Sequence, residues 1–438
     1  MSAPRLLNTL VVCTLLTVGV FNQPLDADEL PIVRSQSKIQ QTSFQLSTSD
    51  SIRLFEYRVQ QNPTDYISRT QLGQLHLRHA RETGSLASYQ NAEQTFVKAL
   101  DVNPKHIAAR SQLAQAYTAQ HRFSQALDIA QQLFDDDFSN LTALAIMGDA
   151  YLELGQYKLA ERSFQLLYQE VQTAPAISRL AHFAELKGDN AKALKLMQRA
   201  HEMAVEDGIS KTELAWYAWR IGDLHYHSGQ LQQAKRLYQA SFDLNPKYHI
   251  ALNGLADVAA ASGNPTEAAK YWQASLKLRP SPATHAELAS IFDELGDKQQ
   301  SARHLAEAER LTKLPGINKF VYTRTLAELY CDQDRELDTA LKLAQNELKQ
   351  RKDIEGYDVL AWTLYKLKRY QEAGKAMQQA MRMGIKEPGF YFHAAMIEHK
   401  LGNNKQAIAY LREIKNIADY LLPEEGHALL KQLEQSAS

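Results

Sequence analysis

Two histidines one helical turn apart, His76 and His79, come closest in this sequence to a metal-binding or catalytic pair. Residues at positions i and i+3 of a helix lie on the same face, so two imidazoles at this spacing can share a metal ion. A second pair, His225 and His227, is two residues apart, and its side chains point to different sides of a helix. The sequence contains no His-Glu-x-x-His motif, no glycine-rich phosphate loop and no Gly-x-Ser-x-Gly elbow. We therefore expect no catalytic residue, no metal and no cofactor.

A regular spacing of alanines sets the elements that would have to position any functional residue. Successive members of this alanine ladder are 34, 34, 33, 41, 34, 34, 38, 33 and 34 residues apart. The ladder consists of Ala92, Ala126, Ala160, Ala193, Ala234, Ala268, Ala302, Ala340, Ala373 and Ala407. A period of about 34 residues is the length of one helix–turn–helix unit, in which a small residue near the start of the second helix lets two backbones touch.

The residues around each alanine agree with such a unit. Upstream of Ala160, Gly148 and Tyr151 fall on a first helix and Gly155 falls on the turn. Downstream of it, Phe164 continues the apolar face of the second helix. The same places hold Ile221, Gly222, His225, Gly229 and Tyr238 around Ala234, and Leu255, Ala256, Ala259, Gly263 and Trp272 around Ala268. On these residues the chain resembles the tetratricopeptide repeat family over nearly all of its length.

The resemblance implies an all-α fold, a right-handed superhelical solenoid of about ten helix–turn–helix repeats with N- and C-terminal capping helices. It places His76 where other units have a buried tyrosine, so a structural role is favoured over metal binding. The repeats span residues 51–435 and leave no length for a catalytic domain, so an enzyme is not expected.

Three departures from the 34-residue spacing indicate longer loops. The 41-residue step has extra residues near 206–210 and the 38-residue step near 314–316, which predicts longer inter-repeat loops and possible subdomain seams near 206–213 and 312–318. The first unit carries an insertion at 82–88 between its two helices. Loops added at one edge of a repeat are common recognition sites, although a plain solvent loop is the more frequent outcome.

The first 21 residues differ in composition from the rest of the chain. Arg5 precedes a mostly apolar run from Leu6 to Val20, and Thr17-Val18-Gly19 offers small residues for cleavage. This pattern predicts a signal peptide over 1–21 and an exported bacterial protein, periplasmic or extracellular. An uncleaved anchor that holds the chain to a membrane outside the cytoplasm is the alternative. Residues 22–50 are rich in Gln, Ser, Thr and Asp and predict a flexible polar linker before the solenoid.

Single helices are expected at both ends of the solenoid. An apolar face of Ile52, Leu54, Phe55 and Val59 ends at Asn62-Pro63, which predicts an N-terminal capping helix. At the other end, a helix that starts at Pro423 would carry Leu429, Leu430 and Leu433 on one side and polar residues on the other. A solenoid needs such polar-backed ends to stay soluble.

The charge balance bears on the class of partner, and the cysteine content bears on disulfide formation. The chain has 49 Lys and Arg residues against 50 Asp and Glu residues, with a net charge of −1, so nucleic acid is not an expected partner. The two cysteines are Cys13 and Cys331. Removal of a signal peptide would leave only Cys331, so no intrachain disulfide is expected.

The family resemblance also implies a binding surface, because the first helices of successive units line the concave face of such solenoids. The positions that would face this groove are non-uniform and include several aromatic residues. The groove residues are Trp216, Trp219, Asp223, Tyr226, Asn253, Asp257, Asp358, Trp362, Tyr365 and Phe392. Aromatic residues in a desolvated groove are typical of binding hot spots. They can equally pack against the neighbouring unit, and the sequence leaves both roles open.

One groove position is acidic in several units: Asp149, Asp223, Asp257 and Glu328. Aligned carboxylates would favour a cationic or amide-rich segment, although they can also serve only to keep the groove hydrated. Family members that bind the C-terminal carboxylate of chaperones use Lys, Asn and Arg in the groove. The first units here hold Thr70, Gln74, Ser111 and Gln115 instead, so the resemblance does not support that activity.

The main functional prediction is a non-enzymatic interaction scaffold of the cell envelope that binds a peptide or partner protein in its concave groove. The alternative is a ligand- or peptide-sensing regulatory protein of the same repeat type. Such a regulator would be expected to carry a DNA-binding helix–turn–helix and to stay in the cytoplasm, and the sequence indicates neither. The identity of the partner cannot be predicted from the sequence.

Overall fold

The computed structural model describes residues 46–83, 85–314 and 322–437. This part of the chain contains 22 α-helices and no strand, as ten helix pairs between two single end helices. The end helices are α1 (Thr48–Gln61) and α22 (Glu424–Ala437). The first helices of the pairs are α2 (Tyr66–Thr83), α4 (Ile107–Ala119), α6 (Leu141–Glu153), α8 (Ala174–Leu186), α10 (Lys211–His227), α12 (His249–Ala261), α14 (Pro282–Glu294), α16 (Thr323–Asp332), α18 (Ile354–Lys366) and α20 (Pro388–Lys400). The second helices are α3 (Leu86–Val102), α5 (Phe123–Asp136), α7 (Tyr157–Glu170), α9 (Asn190–Glu206), α11 (Leu231–Leu244), α13 (Pro265–Leu278), α15 (Lys298–Thr312), α17 (Leu337–Gln350), α19 (Tyr370–Ala380) and α21 (Asn404–Ile417).

The predicted all-α superhelical solenoid is confirmed. Nine of the ten ladder alanines are fully buried where the two helices of a unit meet, and these are all the members except Ala302. The prediction was wrong at Ala302, which is exposed. Ser301 is buried in its place, because it is the fourth residue of α15 just as Ala268 is the fourth residue of α13. Serine is small enough for the same close approach of the two helices. A search for alanine alone therefore selects Ala302, one residue after the true contact position.

The ladder provides a matched pair of substitutions. Ala268→Leu should lower the free energy of unfolding by about 1–3 kcal/mol, because the larger side chain has no space between α12 and α13. Ala302→Leu adds the same atoms at the exposed neighbouring position of the next unit and should change stability by less than about 0.5 kcal/mol. Thermal and urea unfolding of the two variants measures both values, and an equal loss would contradict this account of the ladder.

Two of the expected loops are absent because their residues extend helices. The insertion at 82–88 lengthens α2 to 18 residues and α3 to 17 residues, and Ser85 caps α3 by accepting a hydrogen bond from the Ser88 amide. The extra residues near 206–210 lie between α9 and α10, which both reach 17 residues, and Ser210 with Glu213 forms a capping box that starts α10. The described residues at these two places therefore form no longer loop.

Other boundary predictions fall partly outside the described residues. The signal peptide over 1–21, most of the linker over 22–50, and residues 315–318 of the second seam lie there. The two capping helices are confirmed: α1 ends at Gln61 with Asn62 as its C-cap, and α22 starts at Glu424 with Leu429, Leu430 and Leu433 buried. Leu54, expected on the apolar face of α1, is exposed. Within the described ranges, no helix combines the length and the apolar character needed to cross a membrane.

The superhelix is wound tightly enough for its successive turns to touch. We call residues 141–244 the middle units and residues 351–437 the final units. Arg351 forms an ion pair with Glu153 at 2.7 Å, and the Ile354 amide donates to the Tyr157 hydroxyl at 2.8 Å. These contacts join residues 198 and 197 positions apart in sequence. With units of about 34 residues, one turn of the superhelix therefore takes about six units.

An apolar core fills the space between the two turns. One contiguous buried cluster joins Leu152 and Phe183 of the middle units to Ile354, Met377 and Phe390 of the final units. Burial of apolar surface stabilises this contact, as it does the contact between neighbouring units. The chain is therefore a superhelix packed against itself, and this packing determines which residues of the concave face remain accessible.

Candidate functional site

Four of the aromatic residues expected in the groove are buried in the protein's own core. The exposed fractions of their side chains are 5% for Trp219, 7% for Tyr226, 6% for Trp362 and 8% for Phe392. All four belong to one hydrophobic cluster that also contains residues of α12, α16, α21 and α22. Their binding of a partner stays a prediction. The contacts favour the packing role that the sequence leaves open.

Trp362 shows how such a residue is held. Its ring stacks on Tyr365, with ring centroids 4.8 Å apart, and on His393, with centroids 4.3 Å apart. Phe392 lies beside it at 5.8 Å. Asp358 is also buried and accepts a hydrogen bond from the His393 imidazole at 3.0 Å. These groups satisfy one another and leave little of the indole for a partner.

The other five expected groove residues are half-buried: Trp216, Asp223, Asn253, Asp257 and Tyr365. Trp216 packs against both of the large hydrophobic clusters. Asn253 donates to the Thr284 hydroxyl at 3.2 Å, while its own carbonyl oxygen is buried without a hydrogen-bond partner. The expected groove residues that stay partly exposed are therefore three polar and two aromatic residues.

The four residues of the acidic row have different surroundings. Asp149 forms a buried two-point ion pair with Arg179, with both oxygen–nitrogen distances at 2.8 Å. Asp223 pairs with Arg220, and Arg220 also binds Glu185. Oδ1 of Asp223 lies 3.6 Å from Nε2 of His227. These pairs link α6 to α8 and α8 to α10, so this half of the row joins neighbouring units.

Asp257 and Glu328 lie in a more acidic environment. Burial and the charge of Asp223 raise the pKa of Asp257 to about 7, and the charge of His227 opposes this shift. Burial and the charges of Asp332 and Asp358 raise the pKa of Glu328 well above its usual range. Both carboxylates would be favoured in their ionised form by an incoming positive charge.

Four charged residues at or beside α10 and α12 interact electrostatically: Asp223, His227, Asp257 and Glu387. We call them the acidic cluster. Glu387 caps the start of α20, where its Oε2 accepts from the Phe390 amide at 3.0 Å. Its Oε1 is buried without a hydrogen-bond partner, and so is Nδ1 of His227.

The charges in the acidic cluster act on one another. Burial lowers the pKa of His227, but Asp223 and Glu387 outweigh this effect and raise it to about 9. Burial raises the pKa of Glu387, and His227 partly offsets that rise. The His227 imidazolium and the Arg220 guanidinium face four carboxyl groups, those of Asp223, Asp257, Glu387 and Glu185. Carboxyl groups therefore outnumber cations here, which favours binding of another cation.

The sequence indicated only part of this cluster. Asp223 and Asp257 belong to the predicted acidic row, whereas His227 and Glu387 were not predicted. Glu387 comes from the connection before α20, about 160 residues away along the chain, and reaches the cluster because the superhelix packs on itself. The Glu-Pro step at 387–388 signals a helix start, but no local pattern signals its position beside α10.

The histidines at which metal binding was considered have other surroundings. His76 is buried, and burial lowers its pKa. His79 lies 2.9 Å from the Ser88 hydroxyl. Among the residues that the structure describes, no group of three or more His, Cys, Asp or Glu side chains has a geometry suited to a metal ion.

Comparison with known proteins gives matches to repeat proteins along the chain. Sequence-family models described as tetratricopeptide repeat match residues 87–145, 172–247, 220–283 and 359–420. The chain is 21% identical over 203 residues to human Tetratricopeptide repeat protein 6. The alignment covers 46% of this chain and 37% of that protein. It is 32% identical over 87 residues to the TPR repeat-containing thioredoxin TTL4 of Arabidopsis thaliana. That alignment covers 20% of this chain and 13% of that protein. The chain thus spans well under half the length of either relative.

Similar solved structures are also helical repeat proteins. One is a chain of the APC/C hetero-tetramer Cut9–Hcn1, with 15% identity, 88% of this chain and 90% of that chain covered, and a TM-score of 0.34. Another is PilW, a type IV pilus biogenesis factor, with 17% identity and a TM-score of 0.40. The alignment covers 49% of this chain and 98% of that chain. At these identities the likeness concerns the fold alone.

Proposed function

Because this chain belongs to the tetratricopeptide repeat family, whose repeats generally bind protein partners, we propose that it is a non-enzymatic scaffold that binds a basic peptide segment of a partner on its concave face. The acidic cluster is the proposed recognition point. A lysine or arginine side chain of the partner would lie between Asp223, Asp257 and Glu387.

The single observation that supports this proposal is the charge imbalance of the cluster. The carboxyl groups of Asp223, Asp257, Glu387 and Glu185 outnumber the two cations beside them, His227 and Arg220, and the pKa of Asp257 is raised to about 7. Glu387 Oε1 has no hydrogen-bond partner although the residue is buried. A cationic side chain would lower the pKa values of these carboxyl groups and donate to the free oxygen, so both features favour its binding. Half-buried Asn253 and Trp216 lie on the same face and offer amide and aromatic contacts.

Calorimetric titration with a short peptide of alternating lysine and asparagine tests the proposal. Asp257→Asn should weaken binding of this peptide about tenfold, which corresponds to ~1.4 kcal/mol, because it removes one carboxylate from the site. Asp243→Asn makes the same change on an exposed position of α11 and should leave affinity unchanged. Binding should also strengthen as the pH rises from about 6 to 8, because Asp257 ionises in that range.

Three results would count against this site. The first is equal binding of a peptide with glutamate in place of lysine. The second is an unchanged affinity in Asp257→Asn, and the third is an affinity independent of pH. If the lysine peptide binds but Asp257→Asn has no effect, the partner surface lies elsewhere on the solenoid.

We also propose that the scaffold acts in the cell envelope, exported to the periplasm or the extracellular space. The support is the charge and apolar pattern of the first 21 residues. Cell fractionation followed by mass spectrometry of the N-terminus tests this proposal, and the mature chain should start near Val20. A soluble cytoplasmic chain that still begins at Met1 or Ser2 would contradict it, and a membrane-bound chain that begins at Met1 would support the anchor alternative.

A further inference from the structure

The contact between successive superhelical turns repeats itself in three consecutive units. The turns of the middle units contain Gly155, Gly188 and Gly229, all with positive φ of 72°, 73° and 80°. Each of these glycines lies against a backbone carbonyl of the final units, from Lys352, Gly384 and Ile417 respectively. A Cβ atom at any of the three would come closer than 3.0 Å to that carbonyl oxygen, which real Cβ atoms essentially never do.

Turns elsewhere in the solenoid have the same conformation without this contact. Gly263, Gly296 and Gly402 have φ of 75°, 80° and 85°, and no atom lies within 4 Å of a Cβ placed on them. All six glycines therefore meet the same conformational demand. Only the first three also contact the backbone of another superhelical turn. A comparison of substitutions in the two groups of glycines therefore distinguishes the effect of docking from the effect of backbone strain in the turn itself.

The docked final units also contact α10, the helix that carries Asp223 and His227. The Tyr420 hydroxyl donates to the Tyr226 carbonyl oxygen at 2.8 Å, and the two rings lie 5.8 Å apart. Glu387 of the final units and His227 of the middle units enter the acidic cluster from opposite sides of this contact. A partner that enters the cluster between α10 and α20 must therefore displace or loosen the final units.

The contact is also incompletely satisfied. Glu387 Oε1 and His227 Nδ1 are buried there without hydrogen-bond partners, which costs free energy in the closed arrangement and is relieved when water or a ligand reaches them. The polar contacts across it include the single hydrogen bonds of Tyr420 and Tyr157 and the ion pair of Arg351 with Glu153. Closure is therefore opposed at Glu387 by the same carboxylate oxygen that a cationic ligand would satisfy.

We infer that the final units are a releasable cover, which closes over the concave face by docking onto the turns at Gly155, Gly188 and Gly229 and must open for full access to the acidic cluster. The link to ligand access rests on the proposed function, whereas closure itself does not. A ligand that binds the open arrangement better shifts the population toward it.

A triple variant, Gly155→Ala with Gly188→Ala and Gly229→Ala, tests the cover. Its matched control is Gly263→Ala with Gly296→Ala and Gly402→Ala, which introduces the same backbone strain without a clash. The first variant should show a larger radius of gyration by small-angle X-ray scattering and stronger acrylamide quenching of tryptophan fluorescence. Its helical circular dichroism should match that of the control. The lysine peptide should bind it about tenfold more tightly than the control.

A milder variant covers the case in which the triple variant does not fold. Tyr420→Phe removes only the hydroxyl that bonds to Tyr226 and should change the same measurements in the same direction by a smaller amount. Unchanged scattering and quenching in both variants would overturn the cover. Opening without a gain in peptide affinity would overturn its role in access. If no variant and no wild-type protein binds the peptide, the proposed function fails, while scattering and quenching still decide closure.

Discussion

Replacing Trp362 with alanine is expected to lower the free energy of unfolding by about 3–5 kcal/mol, because it removes a buried indole and leaves a cavity. The ring is 6% exposed and stacks on Tyr365 and His393. Each unit of a solenoid is held mainly by its neighbours, so the loss should extend to the adjacent units. Trp219→Ala should behave similarly, because Trp219 is 5% exposed in the same cluster. Urea unfolding followed by circular dichroism measures both values.

Phe138→Ala is the matched control for these truncations. Phe138 is 73% exposed and makes its aromatic contact with Phe134 near the end of α5. Its removal should change stability by less than about 0.5 kcal/mol. If the tryptophan variants keep the wild-type melting temperature and lose only affinity for a partner, these residues bind rather than pack, and the account of a self-packed concave face fails.

The sequence predicted those features of the fold that depend on local pattern. The spacing of small residues located the ten helix pairs, because each pair needs a close backbone approach at the same place. It failed at Ala302, where Ser301 provides the approach one residue earlier. It also failed at the insertions, because extra residues can lengthen a helix as readily as a loop. Ser85 and Ser210 are capping residues at which the following helices begin.

The concave face was only partly predictable, because its accessibility depends on the pitch of the superhelix. Small rotations between successive units add up over about six units, and no single motif determines their sum. Trp219 and Tyr226 fall on the expected helix but are buried, Trp219 beside Tyr248 of the next unit and Tyr226 beside Tyr420 of the final units. The position of Glu387 beside His227 results from the same long-range packing, so a reading of each repeat by itself does not reveal the acidic cluster.

A buried charge network supports the final units where they meet the rest of the chain. Arg324 of α16 pairs with Glu347 at 2.6 Å and also binds Asp353 and Glu355. Arg351 pairs with Glu347 at 3.0 Å and with Glu153 of the middle units at 2.7 Å. Two guanidinium groups thus balance four carboxyl groups. Burial raises the pKa of Asp353, but Arg324 and Arg351 outweigh this effect and hold it below its usual range. For Glu355, burial and the neighbouring carboxylates prevail over Arg324, and its pKa is raised.

Arg324→Met should therefore be strongly destabilising, by about 3–5 kcal/mol near pH 8, because three carboxyl groups lose their shared cation in a buried site. The exposed pair of Arg369 and Glu372 offers a control, and Arg369→Met should lower stability by no more than about 1 kcal/mol. Unfolding of Arg324→Met and the control can be compared by urea titration at about pH 5 and pH 8.

The sign of the pH dependence follows from the two carboxyl groups. A raised pKa, as at Glu355, means that the folded state keeps a proton that the unfolded chain has already released, so stability falls as the pH rises through that range. The lowered pKa of Asp353 contributes stability above its unfolded value, and this contribution is lost as the pH falls. Without Arg324, both pKa values rise, so the variant should lose more stability at pH 8 than at pH 5. A loss of equal size at both pH values would mean that Arg324 acts through packing of its methylene groups, and that the carboxyl groups find their balance in Arg351 alone.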